Sequence, residues 1–450
     1  MKVAKFGGSS VANAEQIKKA CDIVKSDSSR KFVVVSAPGK RNKEDIKITD
    51  LLIDLGTARI ENKPFATYLK KIADRYEEII RDLGLEQSLL DDIIQSTEAA
   101  TELDVSNEMK LDAIKATGED SSAKIVSAYL NKIGIQASYV NPKDAGITVS
   151  NEPGNAQILP ESFPEIYKLR DREGVLVIPG FFGYSKDGQL ITFSRGGSDI
   201  TGSIVAAGVK AELYENFTDV DSVFSVNPNI VDNPKEISVL TYKEMRELSY
   251  AGFSVFHDEA LIPAFQEKIP VCIKNTNNPS AKGTMIVAEK ERNGNCVVGI
   301  ASDTEFCSLY VSKYLMNREL GFGRKLLQIL EDEHISFEHV PSGIDDMSVI
   351  IRDSELNTEK EQRLVSRIRE ELKVDTISIR RNLAMIMIVG EGMKSTIGIT
   401  SRAANAFAEA RVNVEMINQG SSEVSIMFGI EAEGMERAIR SLYKAFFEEK

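Results

Sequence analysis

The stretch Val3-Ala4-Lys5-Phe6-Gly7-Gly8-Ser9-Ser10 is a short apolar run with one lysine, closed by two glycines and two hydroxyls. A helical pattern follows it, with apolar residues spaced i, i+3, i+4 and i+7 on one face: Ile17, Ala20, Cys21 and Val24. Asn13 and Gln16 resemble a capping box at its start. A second apolar run comes next, at residues 32–37. Strand, helix and strand in this order predict an α/β sheet that is sandwiched by helices.

Further apolar runs continue this alternation along the chain. They are bounded by Gly, Pro or Asn and lie at residues 175–178, 212–217 and 271–274. Nearly continuous apolar strands are typical of sheets that are covered on both faces. The charged stretch at about residues 62–102 has a helical pattern, and its composition favours a solvated helical face.

The last third of the chain contains a weak repeat with a constant offset of 77 residues. The offset relates three residues of one copy to three of the other: Gly321 to Gly398, Gly343 to Gly420, and Ser348 to Ser425. Each copy reads as strand, glycine loop, amphipathic helix, strand, turn, strand and helix. We therefore expect a catalytic domain at residues 1–292 and two intertwined α+β domains at 303–380 and 381–450. The joint is expected at Asn293-Gly294-Asn295.

The charge and composition of the 450 residues exclude some classes of protein. With a formal net charge of −13 at pH 7, the chain has no general attraction for nucleic acid or for an anionic membrane. No stretch approaches the roughly 18 apolar residues that span a bilayer. The N-terminus reaches Gly7 before the apolar core of a signal peptide could form. We expect a cytoplasmic protein without nucleic-acid or membrane partners.

Cysteines and histidines offer little material for a metal site. The four cysteines are scattered and form no C-x-x-C pair: Cys21, Cys272, Cys296 and Cys307. This favours reduced thiols over a disulfide framework or a zinc site. With three histidines in the chain, a His-rich metal site or a His-dependent catalytic triad has few possible members.

The end of the first predicted strand is a candidate phosphate site. Ligands of open α/β sheets bind beyond the carboxyl ends of the strands, where Lys5 and its glycines lie. Glycines let backbone N–H groups approach a phosphate closely, and the following helix adds positive potential. A turn that needs glycine for backbone reasons alone is an equally good interpretation of this motif.

Two further motifs combine charge with small residues. In Ser194-Arg195-Gly196-Gly197-Ser198-Asp199-Ile200-Thr201-Gly202, the arginine fork could hold a carboxylate bidentately. The alternative is that Arg195 pairs with Asp199 across a tight turn. In Phe217-Thr218-Asp219-Val220-Asp221, hydroxyl and carboxylate could order a nucleotide or Mg²⁺, although such a motif alone is usually a turn.

Taken together, these motifs resemble the aspartate kinase family of the amino-acid kinase fold. The likeness also covers Glu244 to His257 and Ile273 to Thr284, and it runs along the whole chain in the family's order. The C-terminal repeat is similar to ACT domains, which are ferredoxin-like modules that bind amino acids. The chain departs from the family where Ser222, Asn229 and Asp258 replace glycine, arginine and proline. The resemblance assigns no role to His257.

The resemblance implies ATP- and Mg²⁺-dependent phosphorylation of the β-carboxylate of L-aspartate to 4-phospho-L-aspartate, the first step towards lysine, threonine and methionine. The catalytic residues would be Lys5, which contacts the phosphoryl group, and Asp199, which orients Lys5. Aspartate would be bound by five residues: Thr49, Glu119, Phe181, Arg195 and Ser198. The nucleotide would be bound by six, with Mg²⁺ carried by ATP: Gly7, Gly8, Ser9, Thr218, Asp219 and Lys274. Lys274 would share the phosphoryl charge with Lys5.

For Glu119, the residues alone favour a solvated acid near a helix start. No general base is expected, because a carboxylate with a reference pKa of about 3.9 is already ionised.

The resemblance also implies feedback control by an end-product amino acid, with lysine expected and threonine as a second candidate. The effector would be bound at the loop of the first repeat that contains Ser342, Gly343, Ile344, Asp345 and Asp346. ACT modules pair by joining their sheets, so a homodimer or a dimer of dimers is expected.

Three alternative classes of protein share some of these features. A glutamate kinase shares the fold but lacks the paired C-terminal repeat. An amino-acid sensor with a degenerate kinase part would not need to keep Lys5, Glu119, Arg195 and Asp199. A fusion to homoserine dehydrogenase is not expected at this chain length.

Overall fold

The computed structural model describes residues 1–253, 259–291, 296–394 and 396–448. The chain divides into two compact units. The first comprises Met1–Val223, Glu236–Met245 and Val255–Lys290, and the second comprises Phe224–Lys235, Arg246–Ser254 and Glu291–Lys450. The expected joint at Asn293-Gly294-Asn295, together with His257 and Asp258, lies outside the described residues.

Strands and helices are interspersed through the first 290 residues, although several helices or several strands also follow one another directly. The strands are β1 Lys2–Phe6, β2 Arg30–Val35, β3 Ala137–Tyr139, β4 Val175–Pro179, β5 Phe182–Tyr184, β6 Leu190–Thr192, β7 Leu213–Thr218, β8 Val223–Phe224, β9 Glu236–Ile237, β10 Val239–Thr241, β11 Val271–Asn275 and β12 Thr284–Val287. The helices are α1 Ala14–Lys25, α2 Ile48–Ile60, α3 Ala66–Leu83, α4 Gln87–Thr101, α5 Asn107–Lys132, α6 Ser162–Tyr167, α7 Gly197–Gly208, α8 Tyr242–Tyr250 and α9 Ile262–Gln266.

An eight-stranded sheet organises the first unit, in the order β10-β12-β11-β7-β1-β2-β4-β3. Its pairs are parallel except β11 with β12. All five predicted strands lie in this sheet, and the predicted α/β fold is confirmed. Because β1 lies between β2 and β7, the carboxyl ends of these three strands meet at the centre of one edge.

The helix α1, which follows β1, has the N-terminal cap and the buried apolar face that its sequence predicts. The side chain of Asn13 accepts a hydrogen bond from the N–H of Gln16 (3.0 Å) and so caps α1. Ile17, Cys21 and Val24 are buried in the core. This amphipathic pattern places the phosphate-candidate glycines between the end of β1 and α1.

The prediction of a solvated helical face at residues 62–102 was only partly right. The helices α3 and α4 form there, and their charged side chains face outward with the exception of Arg75, but each helix also buries an apolar face. Tyr76, Ile79 and Leu83 of α3 are at most 3% exposed and belong to the same core as α1. The charged composition concealed an i, i+3, i+7 apolar stripe.

The second unit holds one five-stranded antiparallel sheet, in the order β14-β13-β15-β17-β16. Its strands are β13 Gly299–Ser312, β14 Asp346–Arg352, β15 Thr376–Val389, β16 Met416–Asn418 and β17 Ser425–Glu431. Its helices are α10 Phe322–Asp332, α11 Thr358–Leu372, α12 Ile399–Glu409 and α13 Met435–Tyr443.

The structure repeats at the positions that the 77-residue offset relates. Gly321 and Gly398 are the N-caps of α10 and α12, with φ values of 78° and 91° that favour glycine. The first copy has two isolated bridges, from His339 and Ser342, where the second copy has β16. The long strands β13 and β15 pair with each other along both copies.

Candidate active site

The end of β1 and the start of α7 meet in an ion pair. Lys5 Nζ lies 2.6 Å from Asp199 Oδ1, and the two side chains are 7% and 18% exposed. Asn216 is opposite Lys5 on the neighbouring strand β7. Its amide donates a hydrogen bond to the same Asp199 oxygen (2.6 Å), and Tyr214 Oη donates to the Asp199 carbonyl (3.2 Å). Asp199 is therefore fixed from two sides and holds the Lys5 ammonium in place.

The backbone of Gly7 lies close to the Lys5 ammonium. The N–H of Gly7 donates to the carbonyl of Phe217 (3.0 Å), and a 3-10 turn follows at Gly8–Val11. A Cβ atom on Gly7 would lie 3.5 Å from Lys5 Nζ. Gly39 donates to the Gly8 carbonyl (2.9 Å), and a Cβ on Gly39 would lie 2.7 Å from the Gly8 carbonyl carbon. This close backbone contact requires glycine at position 39.

The start of α7 packs tightly against the segment after β4. Phe181 has a φ of 77°, which is strained for a residue with a side chain, and its N–H donates to Thr201 Oγ1 (3.0 Å). A Cβ on Gly197 would lie 2.5 Å from Phe181 Cδ2, and one on Gly180 would lie 2.6 Å from Ser198 Cβ. Phe181 and Ser198, two predicted aspartate-site residues, are thus fixed around the N-terminal turn of α7.

Arg195 lies exposed immediately before this turn. Within the described ranges, Asp199 pairs with Lys5, and no ion pair joins it to Arg195. The alternative in which Arg195 pairs with Asp199 is therefore wrong. The guanidinium is left at the surface of the site, where a carboxylate could reach it.

Glu119 is buried within α5, where it is 5% exposed. The alternative of a solvated acid near a helix start is therefore wrong. Burial raises its pKa to about 7, although the Ala37 N–H, the Lys5 charge and the Ser198 hydroxyl oppose the rise. Its Oε2 atom has no hydrogen-bond partner in the described part of the chain. A buried carboxylate oxygen in this state is suited to a cationic donor.

Thr49 lies in the first turn of α2, half-buried. The neighbouring Ile48 packs near Gly118, where a Cβ would lie 3.6 Å from Ile48 Cγ2 and 2.8 Å from Ala37 Cβ. The start of α2 is therefore in contact with α5 one residue before Glu119. The structure brings Thr49 to the same region as the other predicted aspartate-site residues.

The end of β7 carries the predicted nucleotide residues. Thr218 Oγ1 donates to Asp219 Oδ1 (3.2 Å), and the Asp219 side chain is exposed. Asp221 has a structural role, because it accepts hydrogen bonds from Asn275 (2.7 Å) and Asn278 (3.3 Å). Thr218 and Asp219 are thus free to face a ligand at the edge where Lys5 lies.

Lys274, the remaining predicted nucleotide residue, lies near the end of β11. In the sheet register, Lys5 is level with Asn216 and Ile273, whereas Lys274 is level with Phe217 and Phe6. Side chains alternate between faces along a strand, so Lys274 and Lys5 lie on opposite faces of the sheet. The expectation that both lysines share the charge of one phosphoryl group does not follow from this geometry.

Sequence reasoning missed Asn216, which holds Asp199, and Gly39, which contacts Gly8. The available signal for Asn216 was a polar residue inside the apolar run of β7. For Gly39 there was none, because its role depends on a backbone contact with a distant segment.

The predicted effector residues form one turn in the second unit. Gly343 N–H donates to the Asp346 carbonyl (2.8 Å), and Asp345 Oδ1 accepts from the Leu315 N–H (2.8 Å). Ser342, Gly343 and Ile344 are exposed. The turn is therefore attached to the segment after β13, and its tip is open to solvent.

Neither a metal cluster nor a membrane span is found among the residues that the structure describes. In the described ranges, no three or more His, Cys, Asp or Glu side chains are grouped so that they could bind a metal ion. No described helix has the length and apolar character needed to cross a bilayer.

Comparison with known proteins agrees with this architecture. Residues 1–275 match the amino acid kinase family, and residues 386–446 match the ACT domain. Aspartokinase 3 of Bacillus subtilis is 57% identical over 99% of each chain. The crystal structure of Clostridium acetobutylicum aspartate kinase superposes with a TM-score of 0.88 at 39% identity, covering 99% of this chain and 100% of that chain. Aspartokinase III of E. coli, solved with aspartate and ADP, has the same fold, with a TM-score of 0.80 at 24% identity over 99% and 100% of the two chains.

Proposed function

This chain belongs to the amino acid kinase family and, within it, to the aspartokinases, and we propose how its residues divide the work of the reaction. The enzyme uses ATP to phosphorylate the β-carboxylate of L-aspartate, which gives 4-phospho-L-aspartate. The observation that carries the proposal is the Lys5–Asp199 pair, with its buried lysine, at the carboxyl edge of the sheet, beside the glycines that follow β1. An end-product amino acid controls the enzyme through its ACT domains.

Phosphoryl transfer is mostly a matter of positioning and charge neutralisation. A β-carboxylate oxygen of aspartate attacks the γ-phosphorus, the bond to the β,γ-bridging oxygen breaks, and ADP leaves. Both reactants are anions, so the site must supply positive charge where they meet. Lys5 supplies it at the γ-phosphoryl group, and Asp199 keeps its ammonium in position.

The enzyme binds aspartate through both its α-carboxylate and its α-ammonium group. Arg195 binds the α-carboxylate, and Glu119 receives the α-ammonium on the carboxylate oxygen that lacks a partner. Thr49, Phe181 and Ser198 complete the pocket. A hydrophobic pocket alone discriminates against one extra methylene by only about 1–3 kcal/mol. The fixed span from Arg195 to Lys5 adds to this, because it misplaces the longer nucleophile of glutamate.

The nucleotide lies over the segment Gly7-Gly8-Ser9, called here the glycine segment. The backbone of Gly7 and Gly8, together with Ser9, cradles the phosphates, and Thr218 and Asp219 contact the nucleotide from the end of β7. Mg²⁺ enters with ATP, because it usually binds through substrate phosphates and one or two carboxylates. Lys274, on the other face, reaches the nucleotide away from the transferred group.

The second unit binds the controlling amino acid, for which lysine is the first candidate and threonine the second. The domains divide at residues 1–292, 303–380 and 381–450, and the last two intertwine. Support for intertwining comes from β13, whose residues 299–303 pair with residues 385–389 of β15. The effector binds at the turn that contains Ser342, Gly343, Ile344, Asp345 and Asp346. A cytoplasmic location stays a prediction.

We further propose assembly as a homodimer, or as a dimer of dimers, through the ACT domains. Leu320 is 95% exposed and Ile397 is 99% exposed. The two residues occupy equivalent positions of the repeat, each directly before the N-cap glycine of a helix. Apolar side chains that are this exposed at two related positions favour burial against another subunit.

The reaction is tested by trapping the acyl phosphate with hydroxylamine in the presence of Mg-ATP, with aspartate or glutamate as acceptor. Hydroxamate from aspartate alone, reduced by lysine or threonine, is the expected result. Product from glutamate alone would mean a different substrate. Absence of product with both acceptors would favour an amino-acid sensor.

A further inference from the structure

A buried arginine outside the predicted site lies close to the glycine segment. Arg75, on α3, is 5% exposed, and its Nη2 donates to the carbonyls of Gly39 (2.7 Å) and Ala12 (3.0 Å). Its Nη1 donates to Asp45 Oδ2 (2.6 Å). One guanidinium thus joins three segments that are distant in the sequence.

Two of these segments border Gly7, Gly8 and Ser9, the residues that we propose as the phosphate cradle. We call these two segments, at Ala12 and at Gly39, the walls of the cradle. Ala12 directly follows the 3-10 turn Gly8–Val11 that succeeds Gly7. Gly39 donates to the Gly8 carbonyl and is in contact with the Gly8 backbone. The position of the Gly8 peptide therefore depends on the position of Gly39, and both walls are attached to the same Arg75 nitrogen.

Asp45 fixes the other end of this arrangement. It also accepts hydrogen bonds from the N–H (2.9 Å) and the Nε (3.0 Å) of Arg41. Arg41, and with it Arg75, holds the pKa of Asp45 well below its usual value, so Asp45 is ionised at neutral pH. The loop from Pro38 to Lys47, which leads to Thr49 on α2, is thereby held against the glycine segment.

We propose that Arg75, anchored by Asp45, is a positioning residue for nucleotide binding, because it holds the two walls of the phosphate cradle at a fixed separation. This inference rests on the proposed function, since it presumes that Gly7, Gly8 and Ser9 bind the phosphates. Arg75 acts through the Gly39 and Ala12 carbonyls and does not touch the substrate. Small displacements of a binding segment have large kinetic effects, about 100-fold for 1 Å.

The test uses Arg75→Lys, which keeps a cation for Asp45 but cannot reach both carbonyls and the carboxylate in the fork geometry of arginine. Arg30→Lys is a matched control. Arg30 is also buried, at 8% exposed, and pairs bidentately with Glu215 (2.6 and 3.0 Å). It lies at the start of β2, whereas the cradle lies beyond the carboxyl ends of the strands. Both substitutions should lower Tm by similar amounts.

Kinetics at a temperature well below both Tm values separate the two roles. Arg75→Lys should raise the KM for ATP about tenfold or more and change the KM for aspartate less than about threefold. Arg30→Lys should leave both within about twofold. Equal kinetic effects of the two variants, or an unchanged KM for ATP in Arg75→Lys, would overturn the proposal.

Two readouts do not depend on catalysis, so they separate this inference from the proposed function. Hydrogen–deuterium exchange of full-length Arg75→Lys should increase in peptides that cover residues 36–47 and 7–13, and not in those of residues 30–35. Calorimetric titration with Mg-ADP should show weaker binding, by about tenfold. Unchanged exchange and unchanged ADP affinity would overturn the positioning role even if the wild-type protein made no hydroxamate.

Discussion

Lys5 and Asp199 form a 2.6 Å ion pair between the carboxyl end of the first strand and the first turn of α7. The pair joins the two sequence motifs to which we assign most of the chemistry, and Asn216 fixes its geometry from the neighbouring strand. A lysine that is held in this way can act on a phosphoryl group without first being ordered by the substrate.

Removing the Lys5 ammonium should act mainly on the chemical step. Lys5→Met should lower kcat by about 10²–10³-fold, because charge at the transferring group is lost, with a smaller change in KM. Asp199→Asn keeps the shape of its side chain and should lower kcat less. Steady-state rates with the hydroxylamine trap measure both variants. A near-normal kcat for Lys5→Met would remove this residue from the reacting centre.

The binding of aspartate should depend on pH through Glu119. Its pKa of about 7 without ligand means that a proton must leave before the carboxylate can receive the α-ammonium. The KM for aspartate should therefore fall as the pH rises from 6 to about 8. Glu119→Gln should raise this KM and remove its pH dependence. The same pH dependence in Glu119→Gln would contradict the assignment.

The free energy of unfolding of the ligand-free enzyme should also depend on pH through Glu119. Because the folded pKa of Glu119 lies above the reference value of 4.5, the folded state binds more protons between about pH 4.5 and 7. The contribution of this group to the free energy of unfolding therefore falls as the pH rises through that window, by about 3 kcal/mol at most. Glu119→Gln should be at least as stable as wild type at pH 8 by thermal denaturation.

Substitution of Arg195 should weaken the binding of aspartate and have little effect on the binding of ATP. Arg195→Ala should raise the KM for aspartate about 10- to 100-fold, because a bidentate charged contact is lost, while the KM for ATP changes less. Arg195 is exposed, so Tm should stay close to that of wild type. An unchanged KM for aspartate would refute the α-carboxylate assignment.

Substitution of the exposed turn should relieve feedback without loss of catalysis. Asp346→Ala should raise the lysine or threonine concentration that is needed for half-inhibition and leave kcat unchanged. Asp345→Ala should have a similar effect, although it also removes the bond to the Leu315 N–H. Inhibition assays on both variants measure this. Full inhibition of both would place the effector elsewhere.

The exposed pair Leu320 and Ile397 should control assembly. Leu320→Asp combined with Ile397→Asp should shift the protein to a smaller species, because buried charge opposes association. Light scattering after size-exclusion chromatography measures the mass. Ile262→Asp is a control at an apolar residue that is 37% exposed outside the repeat, and it should leave the mass unchanged. The same mass in all three proteins would contradict an interface at these positions.

The local sequence predicted five strands of the first unit, the helix α1 and the repeat of the second unit, and it supplied most of the candidate site residues, which stay a prediction. Apolar runs of residues 3–6 and 32–37 predict β1 and β2, and the spacing after Asn13 predicts α1 with its cap. These features depend on neighbouring residues and on periodicity, which a single sequence contains in full. The 77-residue offset likewise predicts two related units, and Gly321 and Gly398 cap equivalent helices.

The tertiary structure alone decided which distant residues meet. Lys274 and Lys5 both follow strand patterns, but the register of β7 between them puts their side chains on opposite faces, and a shift of one residue would reverse this. Packing between remote segments also buries Glu119, which raises its pKa, and it brings Arg75 within hydrogen-bonding distance of the Gly39 carbonyl. The sequence by itself thus determined the elements and the residue types available for chemistry, whereas the sheet register and the packing of helices on it decided which of them act together.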